Sequence, residues 1–238
     1  MSFRTEYGNL SIKPTHLLQL ARQPIRLENR EKISKEERDG ISFRADHVVL
    51  LSIMEGISYR EADANDIEQL MQFGRQTFRD AFFIVCGYSE KDLASYFATD
   101  YSLERFKGWV NERNTFVYIA IELKSERIVG YLSVGGPSTL PHDGVNEKTG
   151  EINKLYIADD YKGKGVAQTL MSEGLKWFDR EDCAFPGDVY ISVWSENRRA
   201  QKFYSKYGAY KVAEYLYPVG STLDKEEVWK IDRPLQIH

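Results

Sequence analysis

The chain has 238 residues, of which 42% are hydrophobic and 13% aromatic, enough for one sizeable core plus an appendage. With 32 Lys/Arg against 36 Asp/Glu the net charge is −4, which argues against a nucleic-acid partner and favours a cationic small one. Only Cys86 and Cys183 are present, neither in a metal-type or CxxC spacing, so no disulfide framework or cysteine zinc site is expected. The N-terminal stretch mixes Arg4, Glu6, Lys13 and Arg22 among its apolar residues, and no segment reaches transmembrane length. Secretion and membrane insertion are therefore not expected, and a reducing cytoplasm is the expected setting.

Residues 1–53 carry nine Lys/Arg and seven Asp/Glu, a net of +2, which leaves −6 on the rest of the chain. This segment reads as a charged N-terminal extension, and 54–238 as the main domain. Met54 stands just before the first strand and is read as a candidate start. Alternation and β-forming residues predict a strand at 57–61, followed by Asp63 or Asn65 as N-cap of a helix to about residue 80. Ile67, Leu70, Met71, Phe73 and Phe78 give that helix its apolar face. A helical region follows at 90–113, then a hairpin of strands 116–123 and 128–134, and a Gly/Pro-rich loop at 135–150. Beyond it come a strand at 151–157, a helix at 163–180, a strand at 189–194, a helix at 197–206 and strands at 209–217 and 227–232. The order predicts an α/β or α+β domain around a mixed sheet flanked by helices.

One segment narrows the chemistry. Strand 151–157 runs into Asp159-Asp160-Tyr161-Lys162-Gly163-Lys164-Gly165-Val166-Ala167 and then into an amphipathic helix. Two glycines let backbone approach an anion closely, the first N–H groups of the helix point at it, and Lys162 and Lys164 add charge, which together suit a pyrophosphate. Walker and dinucleotide patterns both fail here, the second because Gln168 stands where a third glycine is needed. Asp159 and Asp160 read as capping residues.

Lys162 to Ala167 resembles the R/Q-x-x-G-x-G/A signature of the GNAT superfamily of N-acetyltransferases, with Lys162 in place of the usual Arg or Gln. Asn197, Ala200, Phe203, Tyr204 and Gly208 are similar to that family's second motif, with Ala209 where an aromatic is usual. The resemblance covers 57–232 and implies a GNAT-type mixed, twisted central sheet splayed between its fourth and fifth strands. It implies acetyl-CoA as acyl donor with no metal, its pantetheine arm along Leu155, Tyr156 and Ile157 and its pyrophosphate on Lys162, Gly163, Lys164, Gly165, Val166 and Ala167. Asn197 would cap its helix and touch the cofactor arm. Tyr204 would protonate or hydrogen-bond the departing thiolate, and a backbone N–H near Ile157 would hold the thioester oxygen. The four histidines, His16, His47, His142 and His238, do not cluster at ligand spacing.

Transfer of an acetyl group by direct attack needs a neutral amine. An aliphatic amine of pKa ~10.4 is protonated at neutral pH, and delivering it neutral costs roughly 4.6 kcal/mol. Glu151, opening the central strand, is the first candidate to accept that proton, directly or through water. Phe78, Phe82, Phe83, Tyr88, Tyr96 and Tyr101 are expected mostly in the core, with the remainder walling an acceptor pocket. The region 74–82 and the 193–204 stretch are similar to bacterial polyamine-type (spermidine/spermine) acetyltransferases. The leading expectation is thus a small primary amine as partner. The alternatives are a peptide or protein amine, or a catalytically silent CoA-binding module. Tyr207, Tyr210, Tyr215 and Tyr217 leave room for a homodimer contact.

Overall fold

A computed structural model describes residues 56–233. The expected boundary between 53 and 54 and the reading of Met54 as a start lie outside the described residues. In chain order the elements are β1 (Ile57–Glu61), α1 (Ile67–Phe82), α2 (Glu90–Thr99), α3 (Leu103–Asn111), β2 (Thr115–Glu122), β3 (Arg127–Gly135), β4 (Gly150–Ile157), a 3₁₀ turn (Asp159–Tyr161), α4 (Val166–Phe178), β5 (Val189–Trp194), α5 (Arg198–Ser205), β6 (Tyr210–Val219) and β7 (Thr222–Ile231).

The seven strands form one sheet in the order β1-β2-β3-β4-β5-β7-β6. Every neighbouring pair is antiparallel except β4 with β5. The expected α/β class, with a mixed sheet flanked by helices, is what the chain adopts. Each sheet face is covered because alternate residues of the inner strands are apolar on both sides, as the wholly buried run of β3 after Arg127 shows. One face packs against α4 and α5 through Leu132, Ile152, Leu170, Met171 and Ile191. The other packs against α1, α2 and α3 through Leu70, Phe78, Leu93, Phe106 and Tyr131.

Several local expectations need correction. The helical region at 90–113 is two helices, because Ser102 caps α3 by accepting from Arg105 N and Tyr101 turns fully into the core between them. Helix α1 is preceded by Asp66, not Asp63 or Asn65, and the Asp66 carboxylate does not cap it. Instead it holds Arg60 of β1 through bonds of 2.6 and 2.7 Å and accepts from Asp63 N. The last strands are longer than expected and make a hairpin of two ten-residue strands closed at Gly220, which has φ +61°.

That hairpin is pinned to α2. Ser89 and Asp92 form a capping box, and the same Asp92 carboxylate accepts from Ser221 N at 2.6 Å and Ser221 Oγ at 2.8 Å. Hydrogen bonds from Ser89 and Ser221 hold the Asp92 carboxyl well below the usual carboxylate range. A lowered folded pKa means the contact stabilises the fold above the ordinary carboxylate value and is lost as pH falls through the depressed one.

At the centre of the sheet, Gly150 is required by packing. A Cβ there would lie 2.2 Å from Phe178 Cε1, so the α4 ring rests directly on the start of β4. Replacing Gly150 with Ala is expected to cost about 1–3 kcal/mol by overpacking. At about 2–4 °C per kcal/mol for a domain of this size, thermal melting monitored by circular dichroism checks it.

Candidate active site

The parallel strands β4 and β5 stay paired for only three residues, Gly150–Ile152 with Val189–Ile191. Past that point the two diverge. Asn153 is an extra residue in the β3–β4 ladder, since Ser133 faces Lys154 while Val134 faces Ile152. A bulge of this kind bends a strand and interrupts its pairing. The rest of β4, from Asn153 to Ile157, therefore presents to β5 an edge of backbone groups that β5 does not fill. Leu155, Tyr156 and Ile157, expected along a cofactor arm, all lie on this stretch.

The gap leads to the glycine-bearing turn. Gly163 and Gly165 have φ of +83° and +86°, and a Cβ at either would meet nothing within 4 Å, so the turn is left-handed and open. Gly165 is the N-cap of α4, and the first backbone bond into that helix comes from Thr169 N to Gly165 O. The N–H groups of Val166, Ala167 and Gln168 precede it and point out of the helix end. This open cradle of donors at a 13-residue helix fits a pyrophosphate.

Side chains around the turn are arranged otherwise than expected. Asp159 and Asp160 do not cap α4; Asp159 pairs with Lys162, and Asp160 pairs with Arg127 at 2.6 Å. Lys162 is thus partly neutralised, whereas the Lys164 ammonium lies 5.0 Å over the Tyr161 ring. Arg199, on α5, is close enough to help hold the Asp159 carboxyl below its ordinary range, although Lys162 does most of this. Arg127 and Arg199 were not foreseen as neighbours of the turn, because both come from distant elements. A cavity of about 240 Å³ flanks the turn, between Phe73, Thr77 and Asp80 of α1 and Ala158, Asp159 and Lys162.

Helix α5 forms the other wall. Asn197 is its N-cap, accepting from Ala200 N at 3.0 Å. Tyr204 is buried in the core beneath the sheet, and burial pushes its phenol well above the ordinary tyrosine value, helped by the nearby Tyr156 phenol of β4. Tyr156 in turn accepts a 3.0 Å hydrogen bond from Tyr101. Burial likewise raises Tyr156, so both phenols are proton-bearing donors near neutral pH.

On the opposite face of the sheet lie the carboxylates. Glu151 accepts from Ser138 Oγ at 2.9 Å and Thr139 N at 3.1 Å, which ties down the loop before β4. It also lines a cavity of about 510 Å³ with Asn153, Arg105, Trp109 and Glu112. Glu226 was not foreseen. It stands on β7 opposite Trp194 of β5 and Tyr215 of β6, at the end of β5 beyond its pairing with β4. Around it are Lys154, whose ammonium lies 5.3 Å over the Tyr101 ring, Asp224, which accepts from Tyr88, and Trp194, whose ring meets Phe82 edge-on at 5.8 Å. Burial lowers Lys154, against the raising pull of Asp100, Glu151 and Glu226. Of the aromatics expected at an acceptor pocket, Phe78, Tyr88, Tyr96 and Tyr101 are buried in the α1–α3 core; Phe82 borders Trp194, and Phe83 lies under the Arg79 guanidinium at 4.6 Å.

A model of the acetyltransferase (GNAT) family matches residues 76–209, more than half of the sequence, and the chain belongs to that family. A search of curated proteins gives no match. Solved structures with the same fold include the PaiA N-acetyltransferase of Thermoplasma acidophilum in complex with coenzyme A, at 17% identity and TM-score 0.51, covering 72% of this chain and 97% of that one. NAA60 of Arabidopsis thaliana in complex with acetyl-CoA is similar at 19% identity and TM-score 0.55, covering 74% and 98%. Spermidine N-acetyltransferase of Vibrio cholerae, in complex with CoA and spermine, is similar at 14% identity and TM-score 0.52, covering 76% and 98%. Among the described residues no helix is long and apolar enough to cross a membrane.

The left-handed turn gives a direct test of the cradle's backbone. Gly165→Ala is expected to cost about 1–2 kcal/mol from the positive φ alone, since no neighbour crowds the new methyl. Urea unfolding with an unchanged m-value checks this.

Proposed function

We propose that this protein transfers an acetyl group from acetyl-CoA to a primary amine of a small cationic acceptor, by direct attack in a ternary complex. The observation that carries this reading is the gap between β4 and β5, which runs from the bulge at Asn153 to the open N-terminus of α4. The free edge of Leu155, Tyr156 and Ile157 suits the amide groups of a pantetheine arm, which would add to the sheet as a strand does. The N–H groups from Gly163 to Ala167 suit its pyrophosphate, with Lys162, Lys164 and Arg199 as charge partners. Bound there, acetyl-CoA supplies the activated acyl group; the chain's own residues orient it and manage protons.

Tyr204 is the group we assign to the leaving thiolate. Its phenol holds its proton more tightly than ordinary tyrosine, so full transfer to a thiolate of conjugate-acid pKa ~8.5 is uphill. Its role is therefore hydrogen bonding to the developing negative charge, in a pocket where burial strengthens such a bond. Asn197 caps α5, the helix that carries this phenol. Two carboxylates border the acceptor side, Glu151 and Glu226.

The acceptor class follows from the walls. Asp100, Asp224 and Glu226 lie among Tyr88, Tyr215, Tyr217 and Trp194, a setting of negative charge and aromatic faces that attracts an extended polyamine-like cation. The Vibrio cholerae relative solved with spermine agrees with that class.

Thiol release from acetyl-CoA across spermidine, spermine, lysine, a peptide amine and an aminoglycoside tests the reading. Turnover is expected with a polyamine, and Tyr204→Phe is expected to lower kcat about 10²-fold while acetyl-CoA binding is kept. Tight acetyl-CoA binding without turnover on any amine would make this a silent CoA-binding module.

A further inference from the structure

Glu226 is a wall of the proposed acceptor site to which the reaction above assigns no proton, and its surroundings are built around it. It accepts a 2.9 Å hydrogen bond from Ser192 Oγ, and Ser192 Oγ is itself 2.8 Å from Tyr215 OH. Ser192 and Trp194 are alternate residues of β5, and Trp194 is the register partner of Glu226, so the carboxylate rests on the same sheet face as both. That face is the one covered by α1 and α2 through the Phe82–Trp194 contact. The β4 residues Lys154 and Tyr156 feel its charge from across the gap. Glu226 therefore sits beside the end of β5 that β4 no longer pairs, with Trp194, Tyr215 and Asp224 about it.

Glu151 differs in both respects. Its carboxylate already receives two hydrogen bonds from the β3–β4 loop, and it stands at the paired end of β4, before the bulge.

Resting on the acetyl-transfer reading, we propose that Glu226 is the catalytic residue that takes the proton from the acceptor amine, with Ser192 and Tyr215 as positioning residues that hold its carboxylate toward the gap. The ammonium of the acceptor gives one proton to the Glu226 carboxylate. Its freed lone pair attacks the thioester carbonyl, the N–C bond forms, and the C–S bond breaks. The thiolate leaves hydrogen-bonded by Tyr204 and takes up the second proton of the attacking nitrogen, and Glu226 returns its own proton to water. No oxidant or further co-reactant is needed.

The groups facing Glu226 set its titration. Burial pushes its carboxyl up to about 7, and Asp224 and Glu227 on its own strand act in the same direction; Ser192 and Lys154 oppose them. Cys86, between α1 and α2, Tyr156 of β4 and Tyr215 of β6 also couple to it. A carboxyl titrating near 7 is an efficient base near neutral pH, and it stops accepting protons as pH falls below that value.

The test is the pH dependence of kcat/KM for wild type, Glu226→Gln, Glu226→Asp, Ser192→Ala and Glu151→Gln with the best amine of the panel, alongside acetyl-CoA binding by calorimetry. Wild-type activity is expected to fall as pH drops through about 7. Glu226→Gln is expected to lose about 10²- to 10⁴-fold in kcat/KM together with that limb, while binding acetyl-CoA as wild type does. Glu226→Asp, which keeps the charge, is expected to retain the limb with a smaller loss and guards against a Gln variant that fails to fold. Ser192→Ala removes a bond that favours the charged form and is expected to move the limb to higher pH. Glu226→Gln within threefold of wild type and with the limb intact, or the large loss in Glu151→Gln instead, would overturn the assignment while leaving acetyl transfer standing. A wild type that releases no thiol with any amine would overturn the acetyl-transfer reading and this assignment with it.

Discussion

The site exists because two parallel strands cannot stay paired. Gly150 lets the Phe178 ring sit on the sheet where β4 begins, and three residues later the unpaired Asn153 bends the strand away from β5. Unsatisfied backbone groups along a sheet edge are costly when buried, so a break of this kind persists only if something supplies their hydrogen bonds. In this fold an extended ligand can do so. The same divergence leaves the open N-terminus of α4 beside the gap, with α5 following directly on the strand that has turned away.

Two faces of one sheet then divide the work. The α4–α5 face offers the left-handed glycine turn, the open helix end and Tyr204, all suited to a large anionic donor. The α1–α2 face offers carboxylates among aromatic rings, suited to a cation. At the turn Lys164 and the helix end stand beside the paired Asp159–Lys162 and Asp160–Arg127, while on the other face Glu226 and Asp224 have Lys154 as their cationic neighbour. The β6–β7 hairpin closes the acidic side and is fixed there by Asp92 through Ser221.

Much of this was legible in the sequence, and what was legible was local. A strand, a two-glycine turn and a helix lie in one continuous stretch, so the anion cradle could be read directly, as could Asn197 at the head of α5. What depended on distant strands could not. The run Asp224-Lys225-Glu226 falls between the strands expected at 209–217 and 227–232. In the fold β7 starts at Thr222, and strand alternation turns Asp224 and Glu226 onto the α1–α2 face while Lys225 goes outward to Glu214. Glu151 was visible because it opens a clear strand; its capture by Ser138 and Thr139 was not, since it depends on how the 135–150 loop folds back. The aromatic series from Phe78 to Tyr101 was correctly expected to be mostly core, which follows from ring size and helical spacing.

The central claim is that the β4–β5 gap and the α4 turn together hold acetyl-CoA, and amide hydrogen exchange with and without the ligand tests it most directly. The account predicts new protection in two stretches, residues 153–157 and 163–168, with the paired strand 116–121 unchanged. Protection that spares the β4 edge, or that appears only around the cavity beside Glu151, would contradict it.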